Sequence, residues 1–330
     1  MAILFVSGIN DDSTIRVSLN ERNKMVYLYE GNLGIQGHVA LKDGIESYAV
    51  LFGKKVKQWG FDFEQQPWLI VNQIANPDTH KGALERCVEL CGQTEAPVIN
   101  RPEYVLQTRR EQVSGMLQDI PGVTMPKTVR FSPVSPSEVF EFAADEGIDF
   151  PFIVRMAGSH GGENTVLISG PEDQSSLHRF PLDGRAFYLT QYVDCRDSAG
   201  LYHRQRLVII DGKPLLRGSL YDEHWMVHGA SRQFMLSRET WEDDRKRSER
   251  LETEVIPRLD KMLREITARL QLDIYGIDCS LGHDGEMVIF EANASMDFFT
   301  NAHPQMNERM NMISRGIQQM LARHSGKEVV

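Results

Sequence analysis

Short unbroken apolar runs open the chain. Ala2–Val6 and Trp68–Val71 have the length and continuity of strands buried on both faces of a parallel sheet. Lys81–Leu90 switches to a helical spacing that stops at Gly92, and Pro97–Asn100 is a further short strand. Between Ile15 and Phe63 the periods blur. Val26–Tyr29 fits a strand and Gly31, Gly34 and Gly37 mark loops, but no single threading follows. The three glycines match no phosphate-binding fingerprint and read as loop.

A second set of elements begins near residue 101. A helix is expected from Thr108 to Leu117, then a linker bracketed by Pro121 and Pro126. Ser135-Pro-Ser-Glu138 is a helix start, with Ser135 as cap, Pro136 at the first helical position and Glu138 completing a capping box. Gly147 ends that helix. Phe150–Arg155 is a strand, Met156–Thr165 a glycine-rich loop, and Thr165–Ile168 a returning strand. Further on, Phe187–Val193 is a strand and Arg206–Arg217 a hairpin turning at Asp211-Gly212. Ser237–Leu270 is charged and helical, with a break near Pro257. Gly276–Leu281 and Met287–Glu291 form a last hairpin around His283-Asp284-Gly285, and Pro304–Arg323 closes the chain as an amphipathic helix. The expected class is α/β (α+β) in three units: a small α/β unit at 1–100, a central unit at 101–190 and a mixed-sheet unit at 191–330.

Composition narrows the classes. With 330 residues, 41% hydrophobic and 25% charged, the chain is long enough for two or three cores and ordinary for a globular protein. A net charge of −10 argues against a nucleic-acid partner. The opening apolar run lacks a basic leader, no run is long enough to span a membrane, and four cysteines make no disulfide framework; the expected compartment is the cytoplasm. Cys87 and Cys91, four apart on a helix, read as buried thiols, as does Cys279 in its strand.

The chemistry concentrates on the last hairpin. Glu291 and Asn293 are two apart and point to one face of an extended chain; with Asp278 opposite them, three hard oxygen donors converge. Such a set suits Mg2+ or Mn2+, because hard cations prefer oxygen ligands shared with substrate phosphates. A surface hairpin with ordinary acids is the plain alternative. Glu291, however, follows Val-Ile-Phe in a strand that should be buried, where an unpaired carboxylate is costly. Gly158-Ser-His-Gly-Gly162 has three glycines in five residues, which lets backbone N–H groups wrap a phosphate. Arg155 ends the preceding strand and would meet the same phosphates.

In order and spacing these motifs resemble the ATP-grasp family over roughly residues 100 to 300. Pro151–Gly162 matches the basic strand and glycine-rich loop, Gln191-Tyr-Val-Asp194 the hinge strand, and Asp278 with Glu291-Ala-Asn293 the metal hairpin. Two features depart from the family: arginine stands at position 155 where lysine is usual, and Ala294-Ser295-Met296 replaces the usual turn. The resemblance implies an ATP-grasp fold with a Rossmann-like front unit, a small lid unit and a C-terminal mixed sheet. It also implies roles. Arg110 (rather than Arg109) and Arg155 hold ATP phosphates, and Gly158, Ser159, His160, Gly161 and Gly162 close over them. Gln191, Tyr192, Val193 and Asp194 hold adenine and ribose. Asp278, Glu291 and Asn293 hold the metal, and Arg206 and Arg217 face the transferred phosphoryl group.

Tyr221–His228 carries His224 and His228 four apart, a helical metal spacing without a third ligand nearby; packing or an acceptor-lining loop is the alternative. The expected activity is an ATP-dependent carboxylate–amine ligase, similar to glutathione synthetase and ribosomal-protein glutamate ligases, acting on small molecules or peptides through an acyl phosphate. The alternatives are a small-molecule kinase resembling inositol-phosphate kinases, and a non-catalytic nucleotide-binding module. A homodimer is an expectation of the resemblance alone.

Overall fold

The computed structural model describes the whole chain except residues 1, 20–22, 43, 54–65, 160, 161, 163, 283, 284, 300–306 and 330. The turn residues His283 and Asp284, the loop residues His160 and Gly161, and the expected start of the last helix lie outside the described residues.

The first run becomes β1 (Ile3–Ile9), longer than its apolar run and buried throughout. A hairpin follows, β2 (Arg16–Leu19) and β3 (Met25–Leu28), then β4 (Glu46–Phe52), β5 (Leu69–Asn72), α1 (Lys81–Cys91) and β6 (Val98–Ile99). The sheet order is β4-β1-β5-β6, and every pairing is parallel. Continuous apolar runs suit such strands because both faces are covered. Asp11 caps α1, accepting from the backbone N–H of Lys81 and Gly82 at 3.0 Å each.

A short α2 (Pro102–Val105), unforeseen in the sequence, leads into α3 (Arg110–Leu117), β7 (Val123–Thr124), β8 (Thr128–Phe131) and α4 (Pro136–Asp145). Half of the expected capping box forms: Ser135 Oγ accepts from the Glu138 N–H at 3.4 Å, but the Glu138 carboxylate reaches past the cap and accepts from the Val134 N–H at 2.9 Å instead of that of Ser135. After it come β9 (Phe152–Met156), β10 (Thr165–Ile168) and β11 (Phe187–Gln191), giving an antiparallel sheet of order β10-β9-β11-β8 over its own apolar core.

The third sheet has the order β13-β12-β14-β15-β7. It is built from β12 (Tyr202–Ile210), β13 (Lys213–Asp222), β14 (Ile274–Leu281) and β15 (Met287–Asn293), with β7 pairing in parallel at its edge. Between them run α5 (Ser231–Leu236), α6 (Trp241–Arg250) and α7 (Asp260–Leu270). The expected break near Pro257 is an irregular helical stretch from Leu251 to Leu259. The chain's last helix is α8 (Asn307–Ser325). One continuous apolar core underlies the first and third sheets.

Candidate functional site

The site is assembled on three neighbouring strands. β12 pairs with β14 so that Arg206 lies opposite Asp278, and β14 pairs with β15 so that Asp278 lies opposite Glu291 and Gly276 opposite Asn293. Asp278 and Asn293 are buried. At this level a β-bulge interrupts the β12–β13 ladder, between Arg206 and Leu207, and the β14–β15 ladder, between Asp278 and Cys279, while β12 and β14 pair without a break. Because a bulge inserts one residue, the strands keep apolar side chains on the core face below it while polar ones stay on the site face above it.

Arginines hold both carboxylates. Arg206 grips Asp278 with both ends of its fork, Nε to Oδ1 at 2.7 Å and Nη2 to Oδ2 at 2.8 Å. Arg204, on the same face of β12, stands 3.6 Å from Asp278. Arg110, at the start of α3, reaches Glu291 at 2.5 Å and the Phe290 carbonyl at 3.2 Å. The Asn293 amide donates to Glu291 at 2.7 Å, and its oxygen accepts from Ser295 N–H at 2.8 Å. Burial opposes the charge on Arg206, but Asp278 outweighs it and raises the pKa.

Arg155 comes from the other sheet. Its Nη2 donates to the Ser159 carbonyl at 2.7 Å, which ties the glycine-rich loop back onto β9. Its Nε is buried with no hydrogen-bond partner among the described residues. Burial first, then repulsion from Arg110, pulls the Arg155 pKa down to about 10, against the attraction of Glu291 and Asp278. Arg155 therefore stays charged at neutral pH, and among the described residues no carboxylate pairs with it. Four guanidinium groups, Arg110, Arg155, Arg204 and Arg206, surround two carboxylates, so the cluster carries positive charge in surplus.

The glycine-rich loop is wedged between two others. Gly158 has φ +74° and would set a Cβ 2.6 Å from Thr79, while Gly162 has φ +84° and would set one 2.6 Å from Met226. Glycine is needed at both places, for the left-handed backbone and for the close approach. Asp78, beside Thr79, accepts from the Tyr188 hydroxyl at 2.7 and 2.8 Å and faces Arg130 at 3.6 Å. Burial, then the Asp78 charge, raises the Tyr188 pKa. The slot between Arg110, Arg155, Gly158, Glu291 and Asn293 has a volume of about 20 Å³, room for about one water.

Gln191 ends β11, and its side-chain amide bonds Asp149 and Pro151 on the neighbouring segment. The Tyr192 N–H donates to the Pro151 carbonyl at 3.3 Å, and its hydroxyl meets that of Tyr202 at 2.7 Å. Val193 follows the strand end, and Asp194 is exposed and paired with Arg196. Arg217, next to the first bulge, is 6% exposed and donates to the Phe298 carbonyl at 2.7 Å. Burial lowers its pKa, opposed by Asp297. With Arg206, which donates to the Asp297 carbonyl at 3.0 Å, it fixes the loop after Asn293.

His224 and His228 are not on a helix. Each ring Nδ1 accepts the backbone N–H two residues on, at 3.2 Å, so both shape a loop. Among the described residues no three His, Cys, Asp or Glu side chains gather as a metal-binding group. The donor set here is instead two carboxylates and an amide. Asp278 uses two of its about four acceptor positions on Arg206. Hard oxygens, on two buried side chains and the partly exposed Glu291, fit a hard divalent cation.

Asp78 and Tyr188 escaped the sequence reading, and Arg204 entered it only within Leu201-Tyr-His-Arg204, a stretch resembling inositol-phosphate kinases, and not as a site residue. Arg204 had a signal, the Arg-x-Arg alternation with Arg206, which puts both on one strand face. Asp78 and Tyr188 meet across 110 positions and left no local trace.

No protein-family model matches the chain, and no curated protein matches it in sequence. Solved structures do match in shape. N5-carboxyaminoimidazole synthetase from Staphylococcus aureus, solved with ADP, is 10% identical with TM-score 0.55, covering 100% of this chain and 78% of that one. D-alanine–D-alanine ligase from Coxiella burnetii is 12% identical with TM-score 0.54, covering 99% of this chain and 97% of that one. The same ligase from Bacillus anthracis, solved with ATP, is 11% identical with TM-score 0.53 and covers 99% of both chains.

Proposed function

We propose that this chain, which has the ATP-grasp fold, is an ATP-dependent carboxylate–amine ligase. The carrying observation is the strand register that sets Asp278, Glu291 and Asn293 on one face, ringed by more guanidinium charge than they neutralise. A surplus of fixed cations in a partly buried slot favours a polyanion that brings its own metal. The solved relatives named for ligase and synthetase chemistry support the same reading.

In this reading residues 1–100, 101–190 and 191–330 are three units, and the nucleotide lies between the second and third. Arg110 and Arg155 hold its phosphates, and Gly158 and Gly162 let the loop close on them. Gln191, Tyr192, Val193 and Asp194 line the base and ribose. Asp278, Glu291 and Asn293 hold Mg2+, which when bound offsets phosphate charge. A substrate carboxylate oxygen attacks the γ-phosphorus and the bond to ADP breaks. The amine then attacks the acyl carbon, the carbon–oxygen bond to the phosphate breaks, and inorganic phosphate leaves while the nitrogen gives up a proton to solvent. Arg206 and Arg217 orient the acceptor end and offset charge that grows on the phosphoryl oxygens.

The test is a panel of small carboxylates with Mg-ATP and hydroxylamine in place of the amine. The expected products are ADP, inorganic phosphate and a hydroxamate. A stable phosphate ester instead of a hydroxamate refutes the ligase and points to a kinase.

A further inference from the structure

One row of polar side chains crosses the antiparallel sheet β10-β9-β11-β8. Thr165 lies opposite Arg155, Arg155 opposite Tyr188, and Tyr188 opposite Arg130. Directly opposed residues of antiparallel pairs share a face, so the four stand side by side. The neighbouring row, Val166, Val154, Leu189 and Val129, faces the apolar core of this sheet. A carboxylate from the loop after β5 sits on the polar row. The Tyr188 hydroxyl donates to Asp78, 2.7 and 2.8 Å from its two oxygens, and Arg130 stands 3.6 Å from the same group. Tyr188 is 1% exposed, so water does not compete for the bond.

The loop that presents Asp78 is itself held. The Asp78 N–H donates to Asn76 Oδ1 at 3.0 Å, and the His80 N–H donates to the Asn76 carbonyl at 3.0 Å. The first sheet is in turn fixed to the third. They share one core, and Asn100 clasps Asp273 and Ile274 through hydrogen bonds of 2.7, 2.7, 2.8 and 2.9 Å. The antiparallel sheet has a core of its own. The Asp78 contact therefore ties that sheet, and Arg155 with it, to the body that carries Asp278, Glu291 and Asn293. It also forms a wall. Asp78 and Met156 line both the slot of about 20 Å³ beside Arg110 and Arg155 and a cavity of about 530 Å³ beyond it, bounded by Arg130, Ala157 and Arg185. With the wall in place the slot has room for one water and not for a phosphate group.

We propose that the contact of Asp78 with Tyr188 and Arg130 is an autoinhibitory latch: made, it holds the antiparallel sheet against the first sheet with the phosphate slot shut, and nucleotide binds when it parts. The inference rests on the nucleotide reading of the site given above. Parting the latch joins the slot to the larger cavity and withdraws a negative charge from the path of a polyanion. A charged hydrogen bond of this kind shifts a two-state balance by about 10- to 100-fold. A ligand that binds only the minor state loses apparent affinity in proportion to its population, so breaking the latch restores it.

The test is Tyr188→Phe, which removes the hydroxyl and leaves every charge in place. Calorimetry reads Mg-ATP affinity, and stopped flow with a fluorescent ATP analogue reads association. The variant is expected to bind at least about 10-fold more tightly than wild type, and faster. Asp78→Ala is expected to gain at least as much, and the double variant no more than Asp78→Ala alone. Should Tyr188→Phe lose its fold by circular dichroism, Asp78→Ala, which strands no buried charge, carries the test. Asp183→Ala removes another acid from the larger cavity without touching the latch, and its affinity is expected to stay that of wild type. A gain there equal to that of Asp78→Ala makes the effect one of charge and overturns the latch. A second arm uses no nucleotide. Spin labels at Glu141→Cys on α4 and Lys261→Cys on α7, both exposed, in a Cys195→Ser background, report the separation of the two bodies. Adding Tyr188→Phe, or Asp78→Ala in its place, is expected to lengthen and broaden the distance distribution. An unchanged distribution overturns the latch, and so does unchanged or weaker Mg-ATP binding in the variants. If neither wild type nor variants bind Mg-ATP, the nucleotide reading falls and this inference with it; binding in all without the gain removes the latch alone.

Discussion

Replacing Arg155 by methionine should make the ligand-free protein slightly more stable while removing its response to nucleotide. Methionine keeps the length of the side chain and discards its charge. In the folded chain the guanidinium falls from its ordinary 12.5 to about 10, through burial first and the Arg110 charge second. At 1.36 kcal/mol per pH unit that drop is a cost of about 3 kcal/mol. The folded form binds its proton less tightly than the unfolded form, so the cost is complete below pH 10 and is relieved only as pH climbs toward 12.5. Against it stands the bond from Nη2 to the Ser159 carbonyl, a charged hydrogen bond worth about 1.5–3 kcal/mol. The balance is a gain of about 1 kcal/mol for Arg155→Met, or a rise of about 1–3 °C in melting temperature. Nucleotide at a hundredfold excess over its dissociation constant should stabilise the wild type by about 2.7 kcal/mol. The variant should show almost none of that. Differential scanning fluorimetry with and without Mg-ATP reads both quantities. A variant that melts well below the wild type without nucleotide, or that keeps the full nucleotide shift, would falsify the assignment of Arg155 as a strained phosphate-binding cation.

Glu291→Ala should abolish turnover and leave circular dichroism unchanged, since it removes a partly exposed ligand and no core volume; activity in a folded variant would sink the metal assignment. Arg217→Ala should slow turnover ~10²–10³-fold, the usual cost of one preorganised donor, and a near-normal rate would remove it from the site. Gly158→Ala should weaken nucleotide binding measured by calorimetry, because φ +74° and the 2.6 Å approach to Thr79 both exclude a methyl group; unchanged affinity would show that the loop does not need this geometry. Tyr188 has its pKa raised on folding, so the proton it keeps stabilises the native state fully below pH 10 and that contribution is lost as pH rises further. The stability difference between wild type and Tyr188→Phe should therefore shrink above pH 10 in denaturant titrations, and a constant difference would contradict the raised pKa.

The legible parts of the fold were those whose signals are local. The apolar run at Ala2–Val6, the Ser135 cap and the Asp211-Gly212 turn each act within a few residues, and each formed. Glu291 and Asn293 could be placed on one face because a strand has a period of two, and Asp278 faces Glu291 once the hairpin closes. The stretch from Ile15 onward resisted reading because β2 and β3 expose every residue to solvent. With no buried face, alternation has no inside to mark. Asp78 was invisible for another reason: its bond to Tyr188 joins the loop between β5 and α1 to β11, and nothing in Pro77-Asp78-Thr79 announces a tertiary partner. Arg217 was legible as a cation on a hairpin, but not as a buried one bonded to Phe298, because the bulge beside it cannot be read from residue spacing.

The two bulges explain how one sheet can carry a core and a charged site at once. Leu207, Ile277 and Ile289 are fully buried, while Arg206, Asp278 and Glu291 stand within one or two residues of them. On β12 and β14 adjacent residues already point to opposite faces, but on β15 an uninterrupted ladder would put Glu291 on the same face as Ile289, two residues before it, and would leave Arg217 aimed by the pleat alone. Inserting Arg217 on one strand and Phe290 on another breaks the pitch at the level of the carboxylates. One extra residue brings a guanidinium against the loop after Asn293; the other turns a backbone carbonyl toward Arg110. Charges that would each be costly in a buried sheet thereby meet partners from four segments, and Arg155, which among the described residues meets no carboxylate, lies beside the loop that starts at Gly158.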